Sequence, residues 1–266
     1  MPDTSTPAPT GRLLLMPNTL DLGCVAEGAT PPDLRDVIPD GVLRQAAQLQ
    51  HWVVENAKTA RAFLKRVDAV CPLAQPLQSL DMQVMPRPVK GSPQDAKGQD
   101  ATWATLLQPT LRGHDLGLLS EAGLPAVADP GSLLVKQAHD QGIVVLPLSG
   151  PSSLLMALAS SGLHGQSFAF VGYLPTDATQ RGEHIKLLEQ TSRKLHQTQL
   201  AIETPYRNQA LCDGLLTHLR HDTRLNIACG LTLSQGWSRT LLVSAWRQAG
   251  VSLPSDVPAV FSWLAA

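Results

Sequence analysis

Three carboxylates in this sequence stand where an apolar run gives way to a turn. Glu55 follows Trp52-Val53-Val54, Glu121 follows the run 116–119 and Ser120, and Glu203 follows 199–202. A carboxylate at a strand end can serve as general base toward a hydroxyl that comes within hydrogen-bond reach. Each position has a plainer use as well. Glu55 suits a helix-start charge favoured by the helix dipole. Glu203 suits a buried ion pair with Arg207, four residues on. Arg61 reads more readily as a helix-surface charge than as a substrate contact.

The turns around these carboxylates share a composition of small residues and proline. They are Val54-Glu55-Asn56, Leu119-Ser120-Glu121-Ala122-Gly123, Leu148-Ser149-Gly150-Pro151-Ser152-Ser153 and Glu203-Thr204-Pro205-Tyr206-Arg207. In a parallel sheet, ligands bind outside the carboxyl ends of the strands. Gly and Ala there let a ligand approach the backbone closely, so main-chain N–H and C=O groups can read an adenine edge. One such turn is ordinary strand-to-helix chemistry; four in one chain point to a ligand site.

Several other chemistries find no support. The sequence has no G-x-x-x-x-G-K-[ST], no G-x-G-x-x-G after a strand, no G-x-S-x-G and no H-E-x-x-H. His218 and His221 stand three apart near a helix end. Two histidines fall short of a ligand set, so they read as surface residues and no metal is assigned. Cys24, Cys71, Cys212 and Cys229 are scattered, with no Cys-x-x-Cys. They read as reduced thiols of a cytoplasmic protein.

The elements that must position these turns alternate. The run 12–16 is a first strand and 52–54 a second. Asn56 is the N-cap of a helix carrying Ala57, Ala60, Leu64 and Val67 on one face. Residues 23–39 and 86–100 read as loops, the latter mobile, and 1–10 as a frayed tail. The run 116–119 is a strand. Asp129 caps the next helix, with Pro130 at its first position and Gly142 at its end. A strand at 143–146 and a helix at 153–161, ended by Gly162, follow. Beyond them come strands at 199–202, 225–228, 240–243 and 259–263, and helices at 182–191 and 208–219. This is an α/β protein of two lobes, 11–164 and 165–266, with a cleft between them.

Composition agrees. The 266 residues are 43% hydrophobic and 16% charged, enough apolar material for folded cores. With Lys+Arg 21 against Asp+Glu 22, the net charge of −1 excludes a protein held to nucleic acid by overall charge alone. No apolar run is long enough for a membrane helix, and the first ten residues lack a basic-then-apolar export pattern.

The ordered motifs of 118–163 and 170–175 resemble the tetrapyrrole methylase superfamily, in particular its ribosomal RNA small subunit methyltransferase I-like branch. That branch has a Ser-Asp-Ala-Gly-x-Pro turn, resembled here by Ser120-Glu121-Ala122-Gly123-Leu124-Pro125. Its Asp-Pro-Gly helix start is similar to Asp129-Pro130-Gly131, its Pro-x-Pro-Gly-Pro turn to Pro147-Leu148-Ser149-Gly150-Pro151, and its Gly-Phe-Leu-Pro to Gly172-Tyr173-Leu174-Pro175. Weaker echoes are Ile202-Glu203-Thr204-Pro205-Tyr206-Arg207 for Tyr-Glu-Ser-x-x-Arg, and Glu55-Asn56 through Arg61 for Glu-Asp-x-Arg. The chain departs from the pattern in carrying Glu121 and Asn56 where the branch has Asp, and in its turn after the first strand.

The resemblance implies a two-domain tetrapyrrole methylase-like fold, with a mostly parallel sheet in the N-terminal lobe and a mixed sheet in the C-terminal lobe. It implies an S-adenosyl-L-methionine-dependent methyltransferase, a homodimer, with its donor folded in the cleft. Donor contacts carried over are Ser120, Ala122, Gly123 and Pro125; Gly150, Pro151, Ser152 and Ser153; and Gly172, Tyr173 and Leu174. Ala201, Ala228, Gly230 and Leu231 fall on the adenine side. A sulfonium methyl is already activated, so the protein must chiefly align donor and acceptor. A ribosomal RNA ribose 2′-hydroxyl would need a base, with Glu55, Glu121 and Glu203 the candidates. A tetrapyrrole or other small acceptor, or a donor-binding homologue without turnover, stays open. On this view Gly150→Val blocks donor binding by filling space.

Overall fold

The computed structural model describes residues 10–21, 32–86, 96–129 and 131–266, with the backbone alone over 96–100. The tail 1–9, Cys24, most of the loop 86–100 and Pro130 lie outside the described residues, as does 23–31 of the expected loop 23–39. The chain forms two compact units that divide between Pro151 and Ser152.

In the first unit, β1 (Leu13–Met16), β2 (His51–Val54), β3 (Asp81–Val84), β4 (Leu116–Leu119) and β5 (Val145–Pro147) form one sheet in the order β3-β2-β4-β1-β5. Every pairing is parallel. Such a sheet must be covered on both faces, and alternate side chains divide accordingly. Leu14, Met16, Trp52, Val54 and Leu119 pack with α1 (Asp40–Gln48) and α2 (Ala57–Val70). Leu13, Val53, Leu116 and Leu118 pack with Trp103 of α3 (Ala96–Thr105) and with Leu134 and Ala138 of α5 (Gly131–Asp140). The short α4 (Gln108–Leu111) leads into β4. Gly117 makes room for Trp52, since a Cβ there would stand 2.7 Å from the indole. Overpacking of that kind costs about 1–3 kcal/mol.

In the second unit, β6 (Phe168–Tyr173), β7 (Thr198–Ile202), β8 (Arg224–Cys229), β9 (Trp237–Leu242) and β10 (Ala259–Leu264) run in the order β6-β7-β10-β8-β9. The β6–β7 pair is parallel and the rest antiparallel, so this sheet is mixed. One face carries α7 (Ala178–Leu195), α8 (Asn208–His218) and α9 (Val243–Ala249) over Leu225, Ile227, Phe261 and Trp263. The other carries α6 (Ser153–Ser161), with Ala157 and Leu158 against Leu200, Ala228 and Val260. That packing moves the boundary from the expected His164 to Ser152. The sequence marks a helix there but not which sheet it covers.

Local signals act as their chemistry predicts. Asn56 caps α2 by accepting from the Lys58 N–H at 2.9 Å. Ser152 caps α6, and Gly162 ends it in the left-handed conformation. Gly142 follows α5 with φ 68°. The expected loop 86–100 is shorter than its polarity suggests, because α3 begins at Ala96. The strand expected at 240–243 is β9, which starts at Trp237 and hands over to α9 at Val243.

Candidate functional site

Three of the four turns singled out by composition follow β2, β4 and β5 at the carboxyl end of one parallel sheet, where the turn after β1 joins them; the fourth, 203–207, follows β7 in the mixed sheet of the second unit. The turn after β1 is tied to the turn after β4. The buried Asn18 side chain donates to the carbonyls of Ser120 and Glu121, each at 3.0 Å. Its main-chain N–H donates to the Gly123 carbonyl at 2.9 Å. Gly123 adopts φ 67°, where only glycine is free of strain.

Asp129 braces the same turn from the other side. One carboxylate oxygen accepts from the Gly131 N–H at 2.7 Å and the Ala126 N–H at 3.0 Å. The other accepts from the Ser120 hydroxyl. Ala126 and Ala128 are held at φ 65° and 66° beside it, a conformation that costs an L-residue about 1–2 kcal/mol. Asp129, read from sequence as a helix cap only, is thus also a positioning residue of this turn. Its spacing from Ser120 carried no signal of that bond.

Glu55 closes the frame. Its main-chain N–H donates to the Leu119 carbonyl at 3.2 Å. Its carboxylate accepts from the Glu121 N–H at 3.0 Å. Burial is the largest influence on this carboxyl and raises its pKa; the Glu121 N–H opposes the shift, and the charges of Asp129 and Glu121 add to it. The Glu121 carboxylate lies 3.4 Å from the Thr59 hydroxyl, at the start of α2. The Ala122 N–H has no acceptor among the described residues. Pro125 is buried beneath the turn.

Gly150 has an unexpected neighbour. A Cβ there would lie 2.2 Å from the Cβ of Pro17. Glycine is therefore required by packing of the β1 and β5 turns on each other, and a larger side chain at 150 would strain that turn whether or not a donor lies against it. Pro151 is buried beside it. Arg61 is exposed, with its guanidinium turned to the Ala57 carbonyl of its own helix.

In the second unit, Ser152 and Ser153 form the start of α6. Gly172 sits at a register shift between β6 and β7 with φ 72°, and nothing lies within 4 Å of where a Cβ would stand. Tyr173 is exposed, whereas Leu174 is buried in the core under α7 and α8. Ala201 and Ala228 are buried on opposite faces of the sheet, one against α8 and the other against α6. Gly230 begins the turn after β8 with φ 64°, and Leu231 packs beside Ala228.

Glu203 is engaged. One carboxylate oxygen accepts from Arg207 Nε at 3.0 Å, Arg207 Nη2 at 2.7 Å and the Thr204 N–H at 2.7 Å. The bond to Glu203 raises the Arg207 pKa further. Burial pushes the Cys212 thiol up to about 12, so it stays an inert core group. His218 packs over Gly182 of α7. Among the described residues, no cluster of His, Cys, Asp and Glu could hold a metal ion, and no helix is long and apolar enough to cross a membrane.

These two sheets define a class. The methyltransferase CobJ has a similar fold, with a TM-score of 0.56 at 13% identity over 97% of this chain and 95% of that one. The chain has the two-domain tetrapyrrole methylase-like fold. No family model matches it. Its sequence is similar to ribosomal RNA small subunit methyltransferase I of Vibrio cholerae, 39% identical over 110 residues, or 41% of this chain and 36% of that protein. It is also similar to the protein of that name from Synechocystis, 36% identical over 138 residues, or 51% of this chain and 48% of that protein. The matches thus span less than half the length of these relatives. Sequence and fold together place its resemblance in the tetrapyrrole methylase superfamily.

Proposed function

We propose that this chain is an S-adenosyl-L-methionine-dependent methyltransferase that methylates a ribose 2′-hydroxyl of ribosomal RNA, working in the cytoplasm as a homodimer. The observation that carries the reading is the gathering of three resembling segments, 55–56, 120–125 and 147–151, at one end of one parallel sheet, around the Glu55 carboxylate, whose pKa is raised.

The residues present fit such a donor. The Ala122 N–H is left for an acceptor atom of a ligand. Gly172, in the second unit, leaves open room along its backbone. When bound, the donor supplies a methyl group already activated on a cationic sulfur. Asn18 and Asp129 fix the turn at 120–125 before any ligand arrives, so little ordering is left to the reaction. Glu55 takes the proton from the attacking hydroxyl. A base with a raised pKa suits that task, because it holds the proton more firmly than an ordinary carboxylate does. Glu203 is bound to Arg207 and Thr204 and shapes its turn instead of moving a proton.

Calorimetric titration of the folded chain with S-adenosyl-L-methionine tests the reading at its first requirement. Saturable binding supports it, and no heat from folded protein rejects it. A ribose hydroxyl is preferred over a tetrapyrrole carbon as acceptor because it gives the Glu55 carboxylate a proton to take.

A further inference from the structure

At the opposite, amino-terminal end of the first sheet lies a cleft of about 540 Å³, within the roughly 300–1,000 Å³ range of small-ligand sites. It opens where β1, β2 and β4 begin, away from every turn described above. Arg12, Arg44, Gln48, His51, His114 and Asp115 are among the residues that line it. The rings of His51 and His114 stand 5.1 Å apart, tilted by 46°. His51 is oriented by Asp81 at 3.1 Å.

Among the described residues that line it, Asp115 alone brings a carboxylate, and Arg12 occupies it. Arg12 donates to it from its main-chain N–H at 2.8 Å, from Nε at 3.2 Å and from Nη2 at 2.6 Å. This fork fixes the guanidinium and leaves Nη1 without an acceptor among the described residues. Among the described residues, Arg44 is held by an exposed pair with Asp40 one helical turn away, an interaction that an incoming anion can replace at little cost. The Gln48 amide has no hydrogen-bond partner among the described residues, and neither have the amides of its neighbours Gln45 and Gln50. The cleft therefore offers planar imidazoles for stacking, amides for a base edge and guanidinium N–H groups for a phosphate.

We propose that this cleft takes one unpaired nucleotide of an RNA strand, a second contact with the substrate apart from the methyl-transfer end of the sheet. The inference rests on the ribosomal RNA reading above, and it explains how a chain of net charge −1 can hold RNA through a local group of donors and rings.

Fluorescence anisotropy with a labelled single-stranded oligoribonucleotide tests it. Free adenosine monophosphate serves as competitor, and donor binding by calorimetry serves as a check on the opposite end of the sheet. The intact chain should bind the oligonucleotide. Gln48→Ala/His114→Ala should weaken it about tenfold with donor affinity unchanged. Arg44→Glu should reduce the salt dependence of binding. The proposal is overturned if these variants bind RNA as the parent does while melting at the same temperature. It is also overturned if the intact chain binds adenosine monophosphate but not the strand, which would make the cleft a mononucleotide site. Donor binding without any RNA binding would remove the cleft and leave the methyltransferase reading in place. Loss of donor binding in the intact chain would instead remove the methyltransferase reading.

Discussion

The Glu55 carboxylate accepts a 3.0 Å hydrogen bond from the main-chain N–H of Glu121, and so joins the carboxyl ends of the neighbouring strands β2 and β4. Sixty-six positions separate the two residues in the chain. A bond at that point does two things. It fixes the turn that carries Ser120 and Ala122, and it holds a half-buried carboxylate beside the place where the resemblance puts the donor.

Glu55→Gln keeps the shape of the side chain and removes the proposed base. Methyl transfer in single-turnover assays should fall by roughly a hundredfold to ten-thousandfold, with donor affinity within about a factor of two. A variant that transfers as fast as the parent would take Glu55 out of the chemistry.

The same carboxyl gives a pH dependence of known sign. Its folded pKa is raised, chiefly by burial, so the folded chain holds this proton more tightly than the unfolded chain does. Its contribution to stability is present below the ordinary carboxylate pKa and is lost as pH rises through the raised value. Transfer should run the other way, rising over that window as the base ionises. Denaturant melts and rate profiles of parent and Glu55→Gln, compared from pH 4 to 8, should show both slopes flattened in the variant.

Gly172 and Gly142 form a matched pair for donor binding. Both sit at positive φ, 72° and 68°, with nothing within 4 Å of where a Cβ would stand. Alanine at either should cost about 1–2 kcal/mol of stability. Donor affinity measured by calorimetry should fall for Gly172→Ala alone. Equal affinities in the two variants would remove Gly172 from the site.

Gly150→Ala should lower the melting temperature, since its Cβ meets Pro17 at 2.2 Å. Scanning calorimetry reads this without any ligand. An unchanged melting temperature would show that the two turns separate easily, and would return Gly150 to the status of a donor contact alone.

Much of this architecture was legible because its signals are local. Asn56 before an apolar face and Gly162 after 153–161 each act within one helical turn. The pair Glu203–Arg207 was legible for the same reason, being four residues apart on one turn. What escaped is non-local or weakly patterned. Helix α1 was not marked, although Val42, Leu43, Ala46 and Ala47 are its buried face. Strand β3 is an edge strand of partly exposed, mixed residues, and α3 buries Trp103 among polar neighbours. The Glu55–Glu121 bond, the Asp129–Ser120 bond and the Gly150–Pro17 contact join distant turns, and spacing in the sequence does not encode them.

The most direct measurement uses S-adenosyl-L-methionine labelled in its methyl group, small ribosomal subunits that lack methylation, and a porphyrinogen as rival acceptor. The account predicts label in a 2′-O-methylated nucleoside released from the subunit RNA, dependent on Glu55. Label in the porphyrinogen alone, or no transfer to either by protein that binds the donor, would contradict it.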